Sequence, residues 1–193
     1  KTKKYVKKVI VIDDGSETPV EVSNNNVDVL RNDNNRGKGY SLIKGFQYAL
    51  ENNIKQVITL DCDGQHDPGY IPEFLKCDKS IDIAVGKRDF TKNMPIHRKF
   101  SNTITSLILS VRCGKQILDS QCGFRLYNLE KININDYKET GFHFESEVLI
   151  KVLSNGGTIA HIKVPTIYND SISHIKNIKD TFKFIILIIR SFF

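Results

Sequence analysis

Apolar residues along the chain fall into short Val/Ile runs separated by polar segments, with longer stretches at helical spacing between them. The first run, Val9 to Ile12 in YVKKVIVIDDGS, predicts a buried core strand that ends in a polar turn. A second strand is predicted at VDVLRN, after an Asn-rich loop at Asn24 to Asn26. In NRGKGYSLIKGFQYALENN, Leu42, Phe46, Ala49 and Leu50 recur three and four apart, which predicts a helix from near Gly39 to Asn53. The strand KQVITLDCD follows, then a helix over Pro68 to Cys77 and a strand at DIAVGKR. RKFSNTITSLILSVRCG has enough apolar residues for a partly buried helix, and ILDSQCGFRLYN reads as a loop leading into a strand. FHFESEVLIKVLSNGG predicts a helix with a glycine stop, and TIAHIKVPTIY a strand ended by Pro165.

This order predicts an α/β domain with a largely parallel sheet. In such sheets ligands sit beyond the carboxyl ends of the strands, where both acidic clusters, DDGS and DCDGQHD, fall. From Ile172 the pattern changes. Ile172, Ile175, Phe182, Ile185 and Ile189 recur at helical spacing among Lys176, Lys179, Lys183 and Arg190. The expected division is therefore a domain over residues 1–171 and an amphipathic helix over 172–193. The continuous apolar run of that helix is too short to span a bilayer, so it suits the membrane interface or the approach to a membrane segment. A terminal helix packed on the domain's own sheet fits the same pattern.

Composition adds scale and charge. The chain has 193 residues, 40% of them hydrophobic, which suits one globular domain. A formal net charge of +6 points to anionic partners without choosing among nucleic acid, phosphorylated molecules and an anionic membrane. A nucleic-acid role rests on charge alone, because the basic residues are scattered and Trp is absent. Cys62, Cys77, Cys113 and Cys122 contain no C-x-x-C pair, so neither a zinc site nor a disulfide framework is expected, and a reducing, cytosolic setting is. No signal peptide opens the chain, and the missing initiator Met suggests a fragment.

The segment VITLDCDGQHDPGYIP carries the first chemistry. If DCDGQ leaves its strand extended, Asp61, Asp63 and Gln65 project to one side and offer three oxygen ligands. Mg²⁺ takes one or two carboxylates together with substrate phosphates, so the pattern suits a metal held against a diphosphate. For an isolated D-x-D a solvated turn is the better explanation. Asp67 before Pro68 is expected to cap the next helix. NRGKG lacks the P-loop pattern but could set Lys38 and backbone N–H groups near a phosphate.

Six segments, VIDDGS, NRGKGYSLIKGF, LDCDGQHDP, VGKRD, DSQCGFRLY and VPTIY, occur in the order and approximate spacing of family 2 glycosyltransferases. The sequence most resembles the polyprenyl-phosphate group, the dolichyl-phosphate glucosyl- and mannosyltransferases and their bacterial relatives, from Val9 to about Lys176. The resemblance implies a GT-A fold, a Rossmann-like, mostly parallel sheet flanked by helices that binds a nucleotide-sugar diphosphate through a D-x-D site and Mg²⁺ or Mn²⁺. By the same resemblance Asp13, Asp14, Gly15 and Ser16 contact the donor's base and ribose, and Lys38 contacts the donor. Asp61 lies near ribose and metal, and Asp63 and Gln65 ligate the metal. Arg98 and Arg125 contact phosphates, with Arg88 a weaker candidate. Asp119 and Gln121 line the acceptor side, and Glu145 lies near the cleft.

The activity so implied is inverting transfer of a hexose from UDP-glucose or GDP-mannose to a polyprenyl phosphate at the cytoplasmic face of a membrane. A phosphate acceptor is already anionic and needs no strong base; a sugar hydroxyl would need one, with Asp119 and Glu145 as candidates. In the resembling family an earlier strand, ending in a P-x-Y-N-E loop, forms the other wall of the base pocket. The sequence begins too late to contain it, so either another segment supplies it or donor binding is compromised. Transfer to a glycan hydroxyl and a non-catalytic nucleotide-binding domain are the alternatives.

Overall fold

The computed structural model describes residues 1–89, 96–137, 140–141, 143–167, 184 and 186–190, without the side chains at 97 and 98. Most of the 172–193 tail, for which an amphipathic helix is expected, therefore lies outside the described residues. The elements are β1 (Val9–Asp13), β2 (Val27–Arg31), α1 (Lys38–Glu51), β3 (Gln56–Thr59), α2 (Ile71–Leu75), β4 (Ile83–Arg88), α3 (Ile96–Cys113), β5 (Arg125–Asn128), α4 (Phe144–Ser154) and β6 (Ile159–Val164).

The expected α/β architecture is present, with strands arranged in two sheets. β1 and β2 pair in parallel, and a four-stranded sheet has the order β3-β5-β4-β6. β4 and β6 are parallel, whereas β5 runs antiparallel to both β3 and β4. β3, β4 and β6 thus share one direction and β5 alone is reversed within that sheet. Held on both edges, β5 is buried at all four of its positions.

The core joins α1, α4 and the sheet through aromatic rings. Phe46 lies 5.1 Å from Tyr127 and 6.1 Å from Phe144, centroid to centroid, and Phe74 stacks on Phe124 at 4.3 Å. Each such pair contributes about 0.5–1.5 kcal/mol beyond its buried area. The predicted helix at Pro68 to Cys77 divides into a 3₁₀ turn, Pro68–Tyr70, and the short α2. Asp67 caps that turn, its side chain accepting from the Gly69 N–H at 2.9 Å.

Helix α3 is partly buried, as expected: Asn102, Ser106, Leu109 and Cys113 are buried, while Ile96, Phe100, Ile104, Leu107, Ile108 and Val111 are exposed. Near the end of the chain Leu187 is buried, and Phe184 and Ile188 pack against the core. Among the described residues no helix is long and apolar enough to cross a membrane.

Candidate functional site

The carboxyl ends of β1 and β3 meet the amino ends of α1 and α4 at one place, built mainly from charged side chains. The loop after β1 is organised from within. Asp13 is buried, with Oδ1 accepting from Ser16 N–H at 2.9 Å and Oδ2 from Val20 N–H at 3.1 Å. The same carboxylate pairs with Arg31 at the end of β2. The backbone bond from Ser16, with those from Val20 and Arg31, outweighs burial and holds Asp13 well below the ordinary carboxylate range. Asp14 accepts from Asn32 Nδ2 at 2.8 Å and from the N–H groups of Arg36 and Gly37 at 2.9 Å each. Gly15 is required here: at φ +75° it lies so close to the backbone that a Cβ would sit 2.5 Å from the Asn34 carbonyl carbon.

The oxygens of Asp13 and Asp14 accept from the loops that frame the site. The NRGKG amides at Arg36 and Gly37 hold the Asp14 carboxylate where a phosphate was expected. Gly15 and Ser16 form the turn that these bonds fix.

Lys38, in the first turn of α1, links the acidic groups. Its Nζ lies 2.8 Å from Asp61 Oδ1, 3.1 Å from Asp61 Oδ2 and 2.9 Å from Glu145 Oε2. Burial acts to lower the Lys38 pKa, but the Glu145 and Asp61 carboxylates override it and hold the ammonium well above its usual range. Burial likewise opposes ionisation of Asp61, and Lys38 outweighs it to lower that pKa. Gly123 makes the arrangement possible, since a Cβ there would lie 2.4 Å from Asp61 Oδ2 and 2.8 Å from Lys38 Nζ.

Arg125 completes this network from below. It is fully buried and donates to three backbone carbonyls, those of Cys122 (2.7 Å), Glu145 (2.9 Å) and Ser120 (2.6 Å). Its guanidinium fixes the 120–125 loop and the start of α4. Glu145 Oε1, 3.7 Å from Arg125 Nε, and the Tyr127 hydroxyl are buried beside it with no hydrogen-bond partner among the described residues.

The acidic loop does not continue β3. Residues Cys62 to Gly64 turn, Gly64 adopts φ +77°, and Gln65 N–H donates to Asp63 Oδ1 at 2.9 Å. The in-register projection of Asp61, Asp63 and Gln65 is thereby replaced by an Asx turn that carries Asp63 to the surface. Among the described residues no group of three or more His, Cys, Asp or Glu side chains gathers as a metal cage. The donor set is Asp61, shared with Lys38, and the exposed Asp63, with the Gln65 side-chain oxygen near in sequence. Hard oxygen donors in this number fit Mg²⁺ or Mn²⁺ bound together with phosphate oxygens, rather than a cation held by protein alone.

On the far side, Arg88 and Asp119 face each other. Arg88 Nε and Nη2 donate to the two Asp119 oxygens at 2.8 and 2.9 Å, and Asn102 Nδ2 donates to Oδ1 at 2.9 Å. Asp119 is fully buried. The pair forms a two-point fork through both Asp119 oxygens, so each of these candidate residues meets the other directly. Gln121 is exposed beside them, its amide 3.4 Å from Thr105 Oγ1. Arg98 is in the first turn of α3, and its side chain lies outside the described residues.

His66 was given no role by the sequence pattern, yet it positions the acidic loop. Its Nδ1 accepts from Asp61 N–H at 3.1 Å, Nε2 lies 4.0 Å from Cys122 Sγ, and the ring packs 5.5 Å from Phe124. Burial lowers the His66 pKa despite Asp61 and Asp63 nearby, and burial pushes the Cys122 thiol up to about 11. The signal available beforehand was only its place between Asp63 and the capping Asp67.

Comparison with known proteins agrees with this architecture. An uncharacterised protein of Methanocaldococcus jannaschii is 32% identical over 198 residues, covering 97% of this chain and 82% of its own. The undecaprenyl-phosphate mannosyltransferase of Micrococcus luteus is 25% identical over 170 residues, covering 81% of this chain and 70% of its own. The crystal structure of glucosyl-3-phosphoglycerate synthase from Mycobacterium tuberculosis with phosphoglyceric acid superposes with a TM-score of 0.70 at 15% identity, over 96% of this chain and 69% of that one. The fold is therefore that of the GT-A glycosyltransferases. Residues 1–150 match the family described as Glycosyl transferase family 2, and the chain belongs to that family of glycosyltransferases.

Proposed function

We propose that the protein transfers a hexose, with inversion, from a nucleotide-sugar to a polyprenyl phosphate at a membrane surface. One observation carries the choice of acceptor. Of the two carboxylates suited to act as a base, Asp119 pairs with Arg88 through both oxygens and Glu145 pairs with Lys38 through Oε2. A sugar hydroxyl needs a base to remove its proton. A phosphate monoester is already ionised, its second pKa being about 6 by analogy with phosphorylated side chains, and needs only alignment. The undecaprenyl-phosphate specificity in the name of the Micrococcus luteus relative points the same way.

In this reading Asp63, with Asp61 and Gln65, holds Mg²⁺ or Mn²⁺. When bound, the cation neutralises the departing nucleoside diphosphate. Mn²⁺ accompanies UDP-glucose in a structure of the mycobacterial synthase. Lys38 keeps Asp61 ionised and directs positive charge at the donor. Asp13 and Asp14 hold the walls of the nucleotide pocket through Gly15, Ser16 and the 32–37 loop. Arg98 and Gln121 meet the acceptor. A phosphate oxygen of the acceptor forms the new bond to the anomeric carbon as the bond to the nucleoside diphosphate breaks, so the anomeric configuration inverts.

Calorimetric titration of UDP and GDP, with and without Mg²⁺ or Mn²⁺, into wild type and Asp63→Ala tests the donor half. Metal-dependent binding that the variant loses is expected. Equal binding by both proteins would remove Asp63 from the site.

A further inference from the structure

Helix α3 packs on the body through polar Asn102 and Ser106, which bond to Asp119 and Ser120, and through the buried Leu109 and Cys113. Its outward face carries Ile96, Phe100, Ile104, Leu107, Ile108 and Val111, recurring every three or four residues along one stripe. Exposure reaches 86% at Ile96, 76% at Val111, 67% at Phe100 and 62% at Leu107. Single exposed apolar residues are ordinary, but a contiguous stripe along the full length of a helix marks a surface that is covered in use.

The surrounding charge identifies the cover. From residue 90 to residue 118 there is no Asp or Glu, while Lys92, Arg98, Lys99, Arg112 and Lys115 are basic. Helical periodicity places Lys99 and Arg112 on opposite flanks of the stripe. A two-fold contact between copies would bring these basic flanks against their own kind. An anionic lipid surface complements both features at once, accepting the apolar side chains below the headgroups and the cations among them.

We propose that α3 docks the domain on an anionic bilayer, with Phe100, Leu107 and Val111 inserted and Lys99 and Arg112 at headgroup level. The proposal deepens the lipid-acceptor reading, and rests on it only in taking the bilayer as the place where the acceptor is met. It also gives the middle of the chain a membrane contact.

Flotation of the full chain with phosphatidylcholine vesicles, with and without phosphatidylglycerol, provides the test. Wild type is expected to float with the anionic vesicles, less so at high salt. The exposed triple substitution Phe100→Ser, Leu107→Ser, Val111→Ser is expected to lower partitioning by about tenfold or more, the scale set by covering even one large apolar side chain. Lys99→Glu should weaken it further. Flotation of the triple variant equal to wild type overturns the proposal, as does a wild type that fails to float. A wild-type dimer that the triple variant converts to monomer, without flotation, would assign the stripe to a second copy. Flotation requires no polyprenyl phosphate, so α3-dependent flotation without sugar transfer to that lipid would defeat the acceptor reading alone. Transfer to detergent-dispersed polyprenyl phosphate with α3-independent flotation would defeat the docking alone.

Discussion

Lys38 Nζ and Glu145 Oε2 lie 2.9 Å apart, joining the first turn of α1 to the first turn of α4 across the mouth of the site. Both groups are largely buried, so removing the cation leaves acidic charge without its partner. Lys38→Met should destabilise the fold by about 3 kcal/mol, the scale for breaking a buried pair, and abolish donor binding. Glu145→Gln should cost less, because Asp61 still pairs with Lys38. Urea unfolding of both variants checks the order; equal stability of Lys38→Met and wild type would contradict it.

Arg125 is expected to behave as a structural residue. Arg125→Lys retains the charge beside Glu145 but cannot present a planar fork to the carbonyls of Ser120, Cys122 and Glu145. The expected result is a loss of about 3 kcal/mol or more with nucleotide affinity of the folded fraction unchanged. Wild-type thermal stability combined with loss of acceptor affinity would return Arg125 to the phosphate site.

The Arg88 and Asp119 fork makes a different prediction from a catalytic base. Asp119→Asn leaves Arg88 uncompensated, and at about 3 kcal/mol should lower Tm by roughly 6–12 °C for a chain of this size. Combining it with Arg88→Gln should recover part of that loss. A base would instead show unchanged Tm, a collapse of kcat and no recovery in the double variant.

His66 sets a pH dependence. Its folded-state pKa lies below the ordinary 6.5 because burial opposes the charged ring, and Nδ1 must remain unprotonated to accept from Asp61 N–H. The unfolded chain therefore binds the proton first. The contribution to stability is complete above pH 6.5 and is lost as pH falls through the folded value. Urea midpoints measured from pH 7 to pH 5 should fall more steeply for wild type than for His66→Gln. Parallel slopes would exclude His66 as the source.

Much of the fold was legible because Val/Ile runs mark strands whichever way they pair, and the spacing of Phe46 and Ala49 marks the buried face of α1. Strand direction was less legible: nothing local in CGFRLY reverses β5. The inward turn of Arg125 was hidden for a related reason, since its partners include a carbonyl twenty residues away. The apolar content of α3 predicted a partly buried helix but not that Asn102 and Ser106 face inward, which depends on Asp119 reaching Asn102. The Asx turn at Asp63 did have a local signal, the Asp-Gly pair at 63 and 64, which favours a turn over a continued strand.

Sugar transfer itself tests the proposed function most directly. Labelled UDP-glucose and GDP-mannose are supplied separately with Mg²⁺ or Mn²⁺ to the protein and vesicles containing polyprenyl phosphate. Label from one donor should enter the organic phase as a glycosylated lipid phosphate, depend on the metal and disappear with Asp63→Ala. Label that passes instead to a water-soluble phosphorylated acceptor or to a glycan, with none in the lipid, would contradict the proposed acceptor.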